Sequence, residues 1–204
     1  MSDISLVLFD MDNVLCDYQR DIRLARLSEL TGHPADYIEQ KIFESGFEDD
    51  CDKDRDDIDG IVDDINSILG THLTFEDLMD ARGRSMTPDH AVLDLAIAVS
   101  NVTKCAMLTQ NGALLHKALP AIFPQVQTVF VDRIFFSYQF GAIKTDAALY
   151  DRVLAKLDGV PATTLFIDDD ASFVACAAEA GLRTHHFQNA GKLASELREM
   201  GLLK

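Results

Sequence analysis

The sequence predicts an α/β fold: an open parallel sheet, interrupted after its first strand by a helical insertion. Three observations carry that reading. Short, nearly continuous apolar runs recur along the chain, and most of them stop beside a polar or acidic cluster. Segments with apolar residues at helical spacing separate the later runs, and residues 16 to 87 hold helical patterns with no convincing strand. Strands that alternate with helices, and that are apolar on both faces, belong in a parallel sheet covered on each side.

The first strand covers residues 4 to 9 and runs directly into Asp10. Within the insertion, Ile22 to Leu30, Ala35 to Phe43, Ile58 to Leu69 and Phe75 to Ala81 repeat at helical spacing, while the acidic stretch from Glu48 to Asp64 reads at its start as a solvated loop leading into a helix. Thr87 is placed to cap a helix with Pro88 in its first position and Val92, Leu93, Leu95, Ala96 and Val99 along one face. Further strands are expected at Thr103 to Leu108, Arg133 to Ser137, Thr163 to Ile167 and, shorter and more polar, Thr184 to Phe187. Between them, Leu114, Leu115, Ala118, Leu119 and Ile122 mark one helix. Thr145 is placed to cap a second, with Gly159 to end it, and Ala171 to Ala180 form a third closed by Gly181.

Composition narrows the function. At 204 residues and 48% hydrophobic content, the chain can bury one sizeable core with a small accessory domain. Its 34 acidic against 18 basic residues give a formal charge of -16, a field that repels nucleic acid and anionic membranes. Any site for an anionic small molecule must therefore carry its own positive charge. Four widely spaced cysteines without a CxxC pair, and a polar Met1-Ser2-Asp3 start, give the expectation of a reduced, cytoplasmic protein. No apolar stretch reaches the roughly twenty residues of a membrane span.

Ligands of parallel sheets bind beyond the carboxyl ends of the strands, where the polar clusters fall. Asp10 and Asp12 flank Met11 at the first end. Thr109, Gln110, Asn111 and Gly112 follow another, offering a hydroxyl and backbone N–H groups to phosphate oxygens. Lys144 lies between a strand and a helix, and Asp168-Asp169-Asp170 follow a buried strand. Each has a plain reading alone: loop acids, turn residues, a solvated lysine, a helix cap. Adjacent acids repel unless backbone N–H groups or a metal neutralise them. For Asp168 and Asp169 a hard cation such as octahedral Mg²⁺ suits the oxygen ligands, while Asp170 is a candidate cap.

With Asp10-Met11-Asp12-Asn13-Val14, Thr109, Lys144 and Asp168-Asp169 in this order, the chain resembles the haloacid dehalogenase superfamily of phosphohydrolases. The stretch from Phe123 to Phe187 is most similar to the branch containing a bacterial sugar-1-phosphate phosphatase. The resemblance implies a Rossmann-like core from residues 1 to 15 and 88 to 204, with residues 16 to 87 as a helical cap. It implies that Asp10 attacks phosphorus, that Asp12 protonates the leaving oxygen and then activates water, and that Thr109, Gln110 and Lys144 hold the phosphoryl group. It implies Mg²⁺ held by the Asp10 carboxylate, the Asp12 carbonyl and Asp169, with Asp168 a direct or water-mediated ligand. Dehalogenases of the superfamily lack an acid at the position of Asp12, so ester hydrolysis of a small phosphorylated metabolite, with sugar phosphates among the candidates, is the implied reaction. Gln110, Thr145 and Phe173 depart from the family pattern and bear on substrate rather than chemistry.

The chemistry asks for an ionised Asp10 and an Asp12 with a raised pKa. Tyr18, Arg20, Arg23, Lys41, Phe43, Phe47 and Arg84 are the insertion's candidate substrate contacts. Alternatives are a phosphotransferase or phosphomutase of the same family, and a non-catalytic phosphate-binding protein. Asp50 to Asp56 lacks the glycine and glutamate of a calcium loop, and His185 and His186 point to opposite faces of a strand.

Overall fold

The computed structural model describes residues 3–204. Its centre is a five-stranded parallel sheet in the order β5-β4-β1-β6-β7, formed by β1 (Leu6–Phe9), β4 (Lys104–Thr109), β5 (Ile134–Phe136), β6 (Thr164–Asp168) and β7 (Arg183–His186). β1 sits in the middle, with Leu6 opposite both Lys104 and Thr164. Alternation along β1 explains its unbroken apolar run. Val7 and Phe9 pack against α6 (His90–Ser100), α7 (Ala113–Ile122), α8 (Gln125–Phe130) and α11 (Ala190–Glu199), whereas Leu6 and Leu8 face α9 (Ala147–Leu157) and α10 (Ala171–Glu179).

Between β1 and β4, helices α1 (Arg20–Thr31), α2 (Ala35–Ile38), α3 (Phe47–Asp54), α4 (Ile58–Leu69) and α5 (Phe75–Arg84) gather around a separate apolar cluster that includes Leu27, Ile38, Ile61, Ile65 and Leu78. A π-helical turn, Glu39–Phe43, continues α2. An antiparallel ribbon joins this insertion to the sheet: β2 (Cys16–Tyr18) pairs with β3 (Met86–Pro88). Three residues per strand are too few to show alternation, so the sequence pattern hid both.

Several local expectations are corrected. Thr87 and Pro88 lie in β3, and Asp89 caps α6 by accepting the Val92 N–H at 3.0 Å. Asp146, not Thr145, caps α9 by accepting from the Ala148 N–H at 2.9 Å. Carboxylates cap as well as hydroxyls, and the one at the extended residue directly before the helix serves. Asp158, in the left-handed region at φ 51°, ends α9 ahead of Gly159. The expected acidic loop is instead the helix α3, where Lys53 pairs with Asp50 at 2.7 Å, so these acids do not form a calcium loop. α8 and α11 were absent from the sequence pattern. Among the described residues no helix is long and apolar enough to cross a membrane.

Candidate active site

The carboxyl ends of β1, β4 and β6 converge as parallel neighbours, and each delivers a polar residue: Asp10, Thr109 and Asp168. The turn after β1 is tight. The Met11 carbonyl accepts the N–H groups of Val14, Leu15 and Cys16, and Asn13 takes a left-handed φ of 58°, which asparagine tolerates. From there Asn13 Nδ2 donates to Asp169 Oδ2 at 3.1 Å, and its Oδ1 accepts the Tyr18 N–H at 3.2 Å.

Lys144 is the electrostatic centre of the site. It is 1% exposed, and its Nζ donates to Asp10 Oδ1 and, at 2.8 Å, to Asp168 Oδ2. The expected alternative of a solvated loop lysine is thereby corrected. Its backbone is pinned at both ends of the residue: the Lys144 N–H donates to Gln110 Oε1 and the Lys144 carbonyl accepts from Tyr150 Oη, each at 2.8 Å. Gln110 Oε1 therefore helps to aim Lys144. Tyr150 Oη also donates to the Phe173 carbonyl at 3.1 Å. Tyr150→Phe is expected to destabilise the protein by about 1–3 kcal/mol, because two carbonyls lose a buried donor. Urea denaturation reads this as a lower midpoint with unchanged slope.

Asp10, Asp168 and Asp169 each place one carboxylate oxygen within 4.8 Å of the others. Asp168 Oδ1 accepts from the Asp170 N–H at 2.9 Å, and Asp170 itself caps α10. Burial, reinforced by the Asp168 charge, pushes the Asp10 carboxyl well above the usual carboxylate range despite Lys144. Burial likewise raises Asp169, against the hydrogen bond from Asn13.

Asp12 belongs to a different network. Arg82, from α5, donates through Nη2 to both Asp12 oxygens at 2.7 and 2.6 Å, and Asn111 Nδ2 donates to Asp12 Oδ2 at 3.0 Å. Asn111 also reaches the buried Thr109 hydroxyl at 2.7 Å, and the Arg82 guanidinium stacks over the Tyr18 ring at 4.1 Å. Burial would raise the Asp12 pKa, but the charge and hydrogen bonds of Arg82, with Asn111, outweigh it and hold the carboxyl below its ordinary value. The protein groups alone thus push the two acids apart, Asp10 up and Asp12 down. The reason is geometric, since Asp10 faces another acid while Asp12 faces a guanidinium.

No protein-family model matches the chain. Its sequence is 22% identical over 199 residues to the D-ribitol-5-phosphate phosphatase of Bacteroides thetaiotaomicron, covering 95% of this chain and 97% of that protein. A predicted HAD-like family hydrolase from Porphyromonas gingivalis superposes with a TM-score of 0.81 at 20% identity, covering 97% of this chain and 98% of the other. The fold is that of the haloacid dehalogenase-like hydrolases. A HAD family enzyme from Bacteroides thetaiotaomicron, solved with magnesium and inorganic phosphate, superposes at a TM-score of 0.79 and 21% identity, covering 92% and 96% of the two chains.

Within this haloacid dehalogenase-like fold, Asp10, Lys144, Asp168 and Asp169 form one constellation, and Asp12 and Thr109 meet through Asn111. Of the insertion's candidates, Arg23, Phe43 and Phe47 line a cavity that reaches Asn111, whereas Arg20 and Arg84 are largely exposed. Arg82 was missed. It occupies the stripe set by Phe75, Leu78 and Met79, and a cation on a buried helical face was the available signal.

Proposed function

We propose that this chain is a magnesium-dependent phosphohydrolase acting on small phosphorylated metabolites through an aspartyl-phosphate. The observation that carries the reading is a buried lysine holding Asp10 and Asp168 together, with Asp169 within reach and Asp12 nearby on an independent network. Three buried or half-buried carboxylates against one ammonium leave a deficit of positive charge, and their donor set is all hard oxygen. Both features fit Mg²⁺. Asp10, Asp169 and the Asp12 main-chain carbonyl would hold it. Both Asp168 oxygens already have protein donors, which favours Asp169 as the direct ligand and Asp168 as the water-mediated one. The ion supplies Lewis-acid neutralisation of the phosphoryl oxygens when bound.

Asp10 attacks phosphorus in line, and the bond to the leaving oxygen breaks as the aspartyl-phosphate forms. Asp12 donates the proton that the leaving oxygen needs. A dianionic phosphate near Arg82 competes with Asp12 for its N–H groups, which releases the hold that keeps Asp12 ionised, and Asp12 takes up a proton from solvent water before the ester bond breaks. Once the alcohol departs, Asp12 returns to its Arg82-bound carboxylate form and accepts a proton from the water that attacks the acyl phosphate. Phosphate leaves and Asp10 is regenerated. Thr109 and Lys144 bind phosphoryl oxygens, with Gln110 orienting Lys144. Residues 16 to 87 serve as the cap that covers the reacting atoms, joined to the core of residues 1 to 15 and 88 to 204 through the ribbon. The sugar alcohol phosphate named for the curated relative supports a polyol or sugar phosphate as substrate.

A panel of phosphorylated metabolites and nitrophenyl phosphate, assayed with Mg²⁺ and with EDTA, tests the reading. Inorganic phosphate release that requires Mg²⁺ is expected; a panel without turnover would sink it.

A further inference from the structure

The turn after β1 carries two neighbouring side chains with different ties. Arg82 of the insertion grips Asp12, while Asn13 reaches to the acids behind β6. At a φ of 58° Asn13 occupies a conformation that glycine adopts without strain, so the backbone alone does not call for an asparagine. The side chain is exposed. What it contributes is therefore its amide rather than packing.

Both ends of that amide are engaged. Oδ1 accepts the Tyr18 N–H at 3.2 Å, and Nδ2 donates to Asp169 Oδ2 at 3.1 Å. A main-chain N–H can only donate, so the oxygen must face Tyr18 and the nitrogen is left for Asp169. The main chain of Asp169 is anchored from the other side, where His186 Nε2 donates to its carbonyl at 2.9 Å. Its half-buried carboxylate has Asn13 as its side-chain donor among the described residues. Asp168 differs, because Lys144 and the Asp170 N–H already hold its two oxygens. The aim of Asp169 thus depends on a residue from another element.

At its oxygen end the amide meets the ribbon. Tyr18 closes β2 opposite Met86 of β3, and the Gln19 N–H donates at 2.8 Å to the carbonyl of Ser85, the residue that ends α5. The strand that receives Asn13 is therefore bonded to the last helix of the insertion.

Resting on the phosphohydrolase reading with its Mg²⁺, we infer that Asn13 is a positioning residue whose amide aims the Asp169 carboxylate and ties it to the ribbon that carries the insertion. A ligand whose orientation is set in advance binds a metal more tightly, and losing such a partner costs roughly 10- to 100-fold in affinity. Because Asp169 and Tyr18 share one amide, an ion that fixes the first also steadies the second. The coupling is reciprocal.

The test compares the full-length protein with Asn13→Gly, which keeps the left-handed turn and removes the amide. Calorimetry is expected to show Mg²⁺ binding weakened by about tenfold or more, and the Mg²⁺ concentration giving half-maximal nitrophenyl phosphate hydrolysis should rise by a similar factor. In the wild type, Mg²⁺ is expected to slow exchange of the Tyr18 N–H by at least about fivefold, read by NMR, and in Asn13→Gly that slowing disappears. The N–H groups of Val14, Leu15 and Cys16, all bonded to the Met11 carbonyl, report the turn itself and should exchange alike in both proteins. Unchanged Mg²⁺ affinity in the variant, or a wild-type Tyr18 N–H indifferent to Mg²⁺, leaves Asn13 a turn former and overturns the inference while the phosphohydrolase reading stands. Faster exchange at all three turn N–H groups overturns it as well, by tracing the weaker binding to the backbone. If the wild type neither binds Mg²⁺ nor releases phosphate, both readings fall.

Discussion

Asp10→Asn is expected to abolish Mg²⁺-dependent phosphate release, with kcat reduced at least about 10⁴-fold, while the protein stays folded. An amide nitrogen or oxygen is a poor nucleophile toward phosphorus, so the covalent route closes and only slow direct hydrolysis remains. The fold should tolerate the change. Asp10 is desolvated and faces Asp168, which is why its pKa is raised, and replacing it with a neutral isostere removes that repulsion. Lys144 keeps its bond to Asp168 at 2.8 Å. In metal-free buffer the variant should therefore melt no lower than wild type, and the rise in Tm on adding Mg²⁺ should shrink because an anionic ligand is gone. Mass spectrometry must show that the asparagine is intact, since a trace of deamidated protein restores the nucleophile. Phosphate release within tenfold of wild type from an intact preparation would falsify the assignment of Asp10.

Residues such as Asp10 were legible in the sequence because their positions follow from strand ends. A run like Leu6 to Phe9, apolar at every position, must lie inside a parallel sheet, and whatever follows it emerges at the ligand-binding edge. The same logic located Thr109 and Asp168. Lys144 was placed by its loop but not by its environment, because nothing local shows that two carboxylates from β1 and β6 will close around it. The residues that escaped come from elements whose approach is a tertiary matter. Arg82 lies 70 positions from Asp12 and reaches it only because the insertion folds back over the core. Its helix also runs to Arg84, beyond the expected end at Ala81, so it stood outside the expected helix.

The opposed acidities of Asp10 and Asp12 have the same origin. Charge on one chain segment cannot reveal which partner a neighbour supplies, and Asp10 and Asp12, two residues apart, face opposite kinds of partner. α8 and α11 were missed for a simpler reason. The first has six residues, and the second carries its buried face on Leu193 and Leu197 alone, behind an Asn189 cap and a Gly.

Lys144→Met should be the most destabilising single substitution at the site, costing about 3–5 kcal/mol in metal-free buffer at neutral pH, because it strands the buried Asp10 and Asp168 without a cation. Methionine is close in volume, and the Phe166 and Phe173 rings that flank the ammonium at 5.7 and 5.2 Å offer it apolar contacts, so the loss is electrostatic rather than steric. The pH dependence separates the two causes. Asp10 already has a folded-state pKa raised by burial and by Asp168, and removing Lys144 takes away the interaction that opposes the rise. A carboxyl with a raised folded pKa binds its proton more tightly in the native state. Its contribution is fully present below the unfolded value of about 3.9 and is lost as pH climbs through the folded value. The stability deficit of Lys144→Met against wild type should therefore be smallest in acid and widen toward neutral pH, as read by urea midpoints across that range. Saturating Mg²⁺ should narrow it at neutral pH by supplying the missing charge to the same carboxylates. A deficit that is the same at every pH and indifferent to Mg²⁺ would instead mark Lys144 as a packing residue, and would remove the electrostatic basis for placing a metal and a nucleophile on either side of it.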